Sequence, residues 1–207
     1  MTNKLVAYIG IAGIALFAVA AIVGPLLIED YSIIGQYISE SFASNTKYGA
    51  YLQYLGYVPS GLFTTLYCFK APKYLPNSSR IKTGFFGLAI FYGIGTMLVG
   101  LFPCDAGCPT TIGNSSTAQL IHNAAASLTY LVFPLCILII GMGLQKFTSY
   151  HNLSRISFAM ALLSGVVVAV LFADAESNYK GLLQRVIEIT FITFIVSSAV
   201  KIKNQET

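Results

Sequence analysis

Residues 118–145 read AQLIHNAAASLTYLVFPLCILIIGMGLQ and contain no Asp, Glu, Lys or Arg. A helix of about 20 apolar residues crosses the hydrocarbon core of a bilayer, which is about 30 Å thick. This stretch therefore predicts a transmembrane helix.

Similar stretches recur along the whole chain. Together they predict spans near residues 5–27, 50–70, 83–103, 118–145, 156–174 and 181–201. With 56% hydrophobic residues, 10% charged residues and a mean hydropathy of +0.72, a chain of 207 residues has too little polar surface for a soluble domain. We predict an all-α polytopic membrane protein, in which residues 1–207 form a single membrane domain built as a six-transmembrane-helix bundle.

The basic residues lie mostly on one side of this predicted bundle. With the N-terminus in the cytoplasm, only Lys47, Lys180 and Arg185 of the 12 basic residues lie outside. The positive-inside rule therefore predicts cytoplasmic N- and C-termini in the plasma (inner) membrane. The apolar run after Lys4 is too long for a signal peptide, so we expect the first span to be retained. Because the basic residues are spread among short loops, the net charge of +4 does not indicate nucleic-acid binding.

The loop after the first span, residues 31–42, reads YSIIGQYISESF. Its apolar residues recur at helical spacing, which predicts an amphipathic helix lying on the outer membrane interface. Such a helix either caps the bundle or acts as a mobile lid that contacts a substrate.

The second span begins with four tyrosines at three-residue spacing, of which Tyr54 and Tyr57 lie deepest. A phenol hydroxyl that faces lipid lacks a hydrogen-bond partner, so we expect both to face the protein interior. A wall of this kind suits a cavity for an amphiphile and also suits ordinary core packing.

Two cysteines, Cys104 and Cys108, lie in the loop between the third and fourth spans. On the outer, oxidising side of a membrane they are candidates for a disulfide, with free thiols or a redox or metal role as alternatives. Cys68 and Cys136 lie at membrane depth and are predicted to be small buried hydrophobic residues.

Several titratable residues are predicted to lie at similar depth near the outer ends of separate helices. They are Glu40, Asp105, His122, Asp174, Arg185 and Glu188. A helical bundle brings such residues together around a shallow, outward-facing polar pocket. Gln184 and Arg185 share a helix face with Glu188, and we expect Glu188 to point inward and to pair with Arg185. These residues either form a functional polar site or form an ion pair that only stabilises the bundle.

Four short motifs carry a resemblance to a known family. They are Tyr31-Ser32 with Ile38-Ser39-Glu40, Gly100-Leu101-Phe102-Pro103-Cys104-Asp105, Leu120-Ile121-His122-Asn123-Ala124-Ala125, and Gly181-Leu182-Leu183-Gln184-Arg185. In this ordered set the chain resembles, over nearly its whole length, the predicted integral membrane proteins grouped as domain of unknown function 998. The resemblance implies the membrane fold and supports the polar positions. It implies no reaction, because the family carries no established activity.

The first functional hypothesis is an outward-facing pocket that binds or transports a lipid or another small amphiphile. Its predicted ligand-binding residues are Arg185, Glu188, Gln184, Ser39, Tyr54, Tyr57, Asn123 and Asp174. Arg185 would receive an anionic head group, and the tyrosines would accommodate an apolar body. The expected partners are therefore membrane lipids and a small amphiphilic or anionic ligand, and not nucleic acid.

The second hypothesis is an intramembrane lipid-modifying enzyme, a hydrolase or transferase. Here His122 acts as general base, and Asp105 or Glu40 orients it. The sequence contains no Gly-x-Ser-x-Gly motif or other recognised nucleophile motif. The third hypothesis is a non-catalytic structural or assembly protein. No cofactor is expected; a divalent metal held by the carboxylates and His122 stays open, although Arg185 in the same cluster disfavours it.

Overall fold

The computed structural model describes residues 1–110, 113 and 115–205. Helices make up 77% of the described residues, which contain no strand. The long helices are α1 (Asn3–Leu26), α2 (49–70), α3 (Ser79–Leu101), α4 (Thr117–Leu144), α5 (His151–Ala173) and α6 (Lys180–Lys203). Short 3-10 helices occupy Ile38–Phe42, Ala71–Tyr74 and Thr148–Tyr150. The six long helices overlap the six apolar stretches of the sequence.

Within the described part of the chain, four helices are long and apolar enough to cross a membrane. They are Asn3–Leu26, Ser79–Leu101, Thr117–Leu144 and Thr148–Ala173. The other two long helices carry more polar side chains: α6 has Gln184, Arg185 and Glu188 in its first turns. These four apolar helices make the chain a membrane protein.

Two of the long helices contain a wide π-helical turn. In α2 the turn Gln53–Tyr57 separates Gly49–Leu52 from Val58–Lys70. In α3 the turn Leu88–Ile94 separates Ser79–Gly87 from Gly95–Leu101. A π-helical turn contains more residues than an α-helical turn. It therefore changes which side chains of the following residues point toward the interior.

The six long helices form a closed ring. Each packs against its neighbours in sequence, and α6 packs back onto α1. Because consecutive helices run in opposite directions, residues 27–48, 102–110 and 174–179 lie at one end, which we call the upper end. Residues 3 and 202–205 lie at the other, where the Asn3 side chain donates to the carbonyls of Ile202 and Gln205 at 3.3 and 2.9 Å.

Aromatic side chains fill the middle of the ring. The Phe133 and Phe191 rings stack with centroids 3.6 Å apart, and the Tyr92 ring lies edge-on to both, at 4.9 and 5.5 Å. Aromatic pairs in such arrangements add stabilisation beyond their buried area. This aromatic layer belongs to the main hydrophobic core of the bundle.

Gly61 lets α2 and α3 approach closely. A Cβ atom at Gly61 would lie 2.6 Å from the carbonyl oxygen of Gly93 and 2.6 Å from the backbone nitrogen of Met97. Both atoms belong to the backbone of α3 and cannot rotate away. The contact between these two helices therefore depends on the missing side chain.

The prediction of an amphipathic helix over residues 31–42 is wrong in form. Only Ile38–Phe42 is helical, as a five-residue 3-10 helix, and residues 31–37 form turns. Side chains hold these turns: the Gln36 carboxamide accepts from the Ser32 amide at 2.7 Å, and the Ser32 hydroxyl accepts from the Gly35 amide at 3.0 Å. Such local bonds compete with helix formation. We call residues 31–42 the cover segment, because they lie over the upper end.

Candidate functional site

A cavity of about 260 Å³ lies beneath the cover segment, and all six long helices contribute side chains to its wall. Its apolar lining consists mainly of Phe17, Ile38, Phe42, Val99, Leu171 and Phe172. Its polar lining includes Ser39, Tyr57, His122, Asn123, Ser127, Tyr130, Gln184 and Glu188. The cavity is therefore a mostly apolar space with a few polar groups, as is typical of small-molecule sites.

A chain of hydrogen bonds crosses one wall of the cavity and ends at Glu188. The backbone amide of Ile38 donates to Gln184 Oε1 at 2.6 Å, and Gln184 Nε2 donates to the Tyr130 hydroxyl at 2.8 Å. The Tyr130 hydroxyl donates to Glu188 Oε1 at 2.9 Å. The Ile38 amide can only donate, so Gln184 Oε1 must be the acceptor and Gln184 Nε2 the donor to Tyr130. The Tyr130 hydroxyl proton is then directed to Glu188. The chain links the cover segment to α4 and α6.

The second carboxylate oxygen of Glu188 has no hydrogen-bond partner among the described residues. Glu188 is only 6% exposed, and its side chain lines the cavity. A buried carboxylate oxygen without a partner carries a free-energy cost, so its presence calls for an explanation. The Tyr57 hydroxyl, also on the cavity wall, is buried and has no partner among the described residues.

The predicted ion pair between Arg185 and Glu188 is not formed. Arg185 Nη1 lies 2.8, 3.0 and 2.9 Å from the carbonyl oxygens of Ile33, Gln36 and Gly181. Its Nη2 donates to the Tyr31 hydroxyl at 3.1 Å. The turns of the cover segment thus bring acceptors to the guanidinium, while Glu188 turns toward Tyr130. Arg185 is not on the cavity wall, and it anchors the cover segment to α6.

His122 is buried on the cavity wall. Its Nδ1 lies 2.9 Å from the carbonyl oxygen of Phe102. A carbonyl oxygen only accepts, so Nδ1 carries the proton and a neutral ring has its lone pair on Nε2. A backbone carbonyl, and not a carboxylate, orients the imidazole.

Asp105 and Glu40, the two carboxylates expected beside His122, do not line the cavity. Asp105 Oδ2 accepts from the Ser116 amide at 2.9 Å, and this bond lowers the pKa of Asp105. Glu40 Oε1 accepts from the Tyr37 amide at 2.9 Å and lies 3.9 Å from Lys180 Nζ. Both carboxylates hold loops at the upper end. Asp174 is exposed and does not line the cavity.

The Tyr37 hydroxyl fastens the cover segment to the loop between α5 and α6, where it donates to the Ala175 carbonyl at 2.6 Å. Burial raises the pKa of Tyr37 to about 12, with further contributions from the nearby carboxylates of Glu176, Glu40 and Asp174. The phenol therefore stays protonated, and remains a donor, across the physiological pH range.

Only one of the two deep tyrosines faces the interior. Tyr57 is buried on the cavity wall, whereas Tyr54 is 59% exposed on the outside of the bundle. Both residues lie in the π-helical turn Gln53–Tyr57, where the wider winding separates side chains that are three residues apart. The expectation that Tyr54 faces inward is therefore wrong.

Cys104 and Cys108 are joined by a disulfide. Cys108 lines the cavity, and its Sγ lies 3.3 Å from the hydroxyl oxygen of Ser39. The small disulfide-closed loop thus lies against the cover segment. Cys68 and Cys136 are buried.

The sequence reasoning missed Tyr130 and Gln119. Gln119 is buried, accepts from the Asp105 amide at 2.6 Å and donates to the Pro109 carbonyl at 3.1 Å and to Asn123 Oδ1 at 2.8 Å. A signal was present for both residues: Gln119, Asn123 and Tyr130 are spaced by four and seven residues, so they share one face of α4.

In the part of the chain that the structure describes, no group of three or more His, Cys, Asp or Glu side chains comes together as a metal site. The residues proposed as metal ligands are held apart by separate contacts: Asp105 by Ser116, Glu40 by Tyr37, and Glu188 by Tyr130.

The bundle of apolar helices with an internal cavity defines a multi-helix membrane protein. Residues 11–201 match the model of the family described as "Protein of unknown function (DUF998)", and the chain belongs to this family, as its motifs predicted. No curated protein and no solved structure matches the chain.

Proposed function

We propose that this protein binds or transports a small amphiphile in the cavity at the upper end of the bundle. The observation that carries the proposal is the unpartnered, buried carboxylate oxygen of Glu188 on the wall of a mostly apolar cavity. A polar ligand group in the cavity would satisfy this oxygen, and the aromatic wall would bury the ligand's apolar part.

The size and the rim of the cavity fit a head group better than a whole lipid. Ligand pockets usually measure about 300–1,000 Å³, and this cavity of about 260 Å³ falls just below that range. Phe172 lines the cavity and is also 42% exposed on the outer surface of α5. An apolar tail can therefore leave the cavity beside Phe172 and continue into the bilayer.

We further propose that all six long helices span the plasma (inner) membrane, with both termini in the cytoplasm. Nine of the 12 basic residues lie near the end of the bundle that carries the chain ends, in the sequence order Lys4, Lys70, Lys73, Arg80, Lys82, Lys146, Arg155, Lys201 and Lys203. The positive-inside rule then places the upper end and its cavity on the outer side.

The contacts favour binding over catalysis. A lipid-modifying enzyme built on His122 would need a carboxylate to orient the imidazole or a nucleophile beside it. Instead, the Phe102 carbonyl orients the ring, and Asp105 and Glu40 hold loops elsewhere. A purely structural role is also less well supported, because it leaves the free oxygen of Glu188 without a reason.

The proposal is tested by filling the cavity. Ser127 lines it, and a Ser127→Phe substitution puts a ring into the space that the ligand would occupy. Leu131, on the same helix, is 50% exposed on the outside of the bundle and provides the matched control Leu131→Phe. Native mass spectrometry of gently extracted protein then measures co-purifying small molecules. We expect an adduct on the parent protein and on Leu131→Phe, and its loss from Ser127→Phe.

An adduct retained by Ser127→Phe, with a circular-dichroism spectrum like that of the parent, would contradict the assignment of this cavity. A complete absence of adducts would be followed by adding short-chain amphiphiles to the extracted protein. If none binds in a saturable manner, the proposed function is wrong.

A further inference from the structure

We propose that the cavity is selective for a cationic head group, and that the ligand is an amphiphile that carries an ammonium group on a short apolar body. This inference rests on the proposed function and names the chemical class of its ligand. The sequence suggested an anionic head group bound by Arg185. The structure favours a cationic one, because Arg185 does not line the cavity.

The charges on the wall have one sign. Among the described residues that line the cavity, Glu188 is the one carboxylate, and neither Lys nor Arg occurs. Arg185, the nearest guanidinium along α6, is occupied by three carbonyls and the Tyr31 hydroxyl. An anionic head group would therefore meet the Glu188 carboxylate with no basic side chain on the wall to compensate.

The two buried, unpartnered oxygens on the cavity wall can each accept a hydrogen bond, and the Tyr57 hydroxyl can also donate one. Glu188 Oε2 and the Tyr57 hydroxyl oxygen both line the cavity and lack partners among the described residues. In its neutral form the His122 ring adds an acceptor at Nε2, because its Nδ1 proton is donated to the Phe102 carbonyl. An ammonium group has three N–H donors and no acceptor, so it matches such a set, whereas a carboxylate or sulfate head group has acceptors only.

Aromatic rings surround the same space. The Tyr57 ring lies 5.5 Å from the Phe17 ring and 4.3 Å from the Phe42 ring, measured between centroids, and all three residues line the cavity. The faces of aromatic rings attract cations, and more strongly where water is excluded. Carboxylate and rings together select a positive charge.

A single tryptophan can report on occupancy, because the chain contains none. Phe172→Trp places the reporter on the cavity wall, and Leu162→Trp places it on the same helix at a position that is 71% exposed to the outside. Each variant is reconstituted in phosphatidylcholine nanodiscs. Three probes with the same bromine-terminated octyl chain are added, ending in ammonium, hydroxyl or carboxylate, and bromine quenches a nearby tryptophan.

With Phe172→Trp we expect saturable quenching by the ammonium probe, at concentrations at least about ten-fold lower than by the alcohol or the carboxylate. With Leu162→Trp we expect only the non-saturable quenching that follows partition of each probe into the lipid. Adding Glu188→Gln to Phe172→Trp keeps the size of the side chain at position 188 and removes its charge. We expect the affinity for the ammonium probe to fall at least about ten-fold. Adding Tyr57→Phe instead removes a hydroxyl but no charge, and should lower the affinity for the ammonium probe less than Glu188→Gln does.

The outcomes separate the two proposals. Saturable quenching of equal strength by all three probes would leave amphiphile binding in place and overturn the ammonium assignment. Tighter binding of the carboxylate probe would overturn it as well. No saturable quenching by any probe would overturn the proposed function itself. If Glu188→Gln does not fold, Tyr57→Phe provides the test. An unchanged preference for the ammonium probe in Tyr57→Phe would show that the free oxygens of the wall do not bind the ammonium group.

Discussion

Arg185 and Glu188 lie three residues apart on α6 and serve different parts of the molecule. The guanidinium binds the backbone of the cover segment, and the carboxylate accepts from Tyr130 and faces the cavity. A bidentate guanidinium can hold several carbonyls at once, which a lysine ammonium does less well. At the scale of single residues, the Arg185 guanidinium therefore holds the cover segment, and the Glu188 carboxyl group faces the cavity.

The role of Arg185 predicts a local effect of Arg185→Lys. Hydrogen bonds to charged groups contribute about 1.5–3 kcal/mol each, and Lys cannot replace all of them. We expect the free energy of opening residues 31–37 to fall by about 2 kcal/mol, which speeds their amide hydrogen exchange roughly 30-fold. Arg155→Lys, at an exposed position near the start of α5, is the matched control. Unchanged exchange in the cover segment of Arg185→Lys would show that Arg185 does not hold it.

The spacing of residues on α6 could show that Gln184, Arg185 and Glu188 share a face, and that an intramembrane carboxylate points inward. It could not show which acceptor each side chain reaches. The partners of Arg185 are carbonyl oxygens of residues 33 and 36, and every residue type has such a carbonyl. Pairing at this scale depends on a turn conformation that no periodic pattern encodes.

At the scale of elements, the contact between α2 and α3 predicts that alanine substitutions at two glycines change the free energy of unfolding by very different amounts. Gly61→Ala places a Cβ atom 2.6 Å from backbone atoms of α3, so the helices must move apart. We expect a loss of about 1–3 kcal/mol in the free energy of unfolding. Gly165→Ala, on α5, meets no heavy atom within 4 Å. It should be neutral or slightly stabilising, because alanine is the better helix former.

Unfolding of both variants in mixed micelles, with increasing dodecyl sulfate, measures the difference. Equal stability of Gly61→Ala and Gly165→Ala would mean that α2 and α3 are not in close contact at Gly61.

The cover segment shows where element-scale prediction fails. Its apolar positions follow a helical pattern, and Ile38 and Phe42 do face the interior. Residues 31–37 nonetheless form turns, because Ser32, Gln36 and Arg185 supply bonds that a helix would not use. The long apolar helices were predictable because each satisfies its own backbone. A short polar segment takes its conformation from its neighbours.

At the scale of the whole molecule, the ring of helices and the charge distribution predict a definite orientation. Asn178 and Asn204 are exposed residues near the two ends of α6. We expect a membrane-impermeant maleimide to label Asn178→Cys in intact cells and to label Asn204→Cys only after the membrane is opened. The parent protein should stay unlabelled until it is reduced, because Cys104 and Cys108 are bonded and Cys68 and Cys136 are buried. The opposite pattern of labelling would place the cavity on the cytoplasmic side.

The positions of the long helices were readable from the apolar stretches of the sequence, although, within the residues that the structure describes, only four of these helices are apolar enough to cross a membrane by their composition alone. The convergence of polar residues was partly readable from their depth. His122, Glu188, Gln184, Ser39, Asn123 and Tyr57 do meet at the cavity. Asp105, Glu40 and Asp174 lie at similar depth but do not meet there, because loop amides or solvent take their carboxylates. Depth is set by sequence position, whereas the direction of a side chain is set by packing around the ring.

The most direct test of the ligand site is a density map of the protein in a lipid nanodisc, with a bound Fab fragment, at a resolution that shows side chains. We predict density for a small molecule in the cavity, in contact with Glu188 Oε2, while Arg185 binds the carbonyls of Ile33 and Gln36. A closed cavity in which Glu188 and Arg185 pair with each other would contradict the proposal.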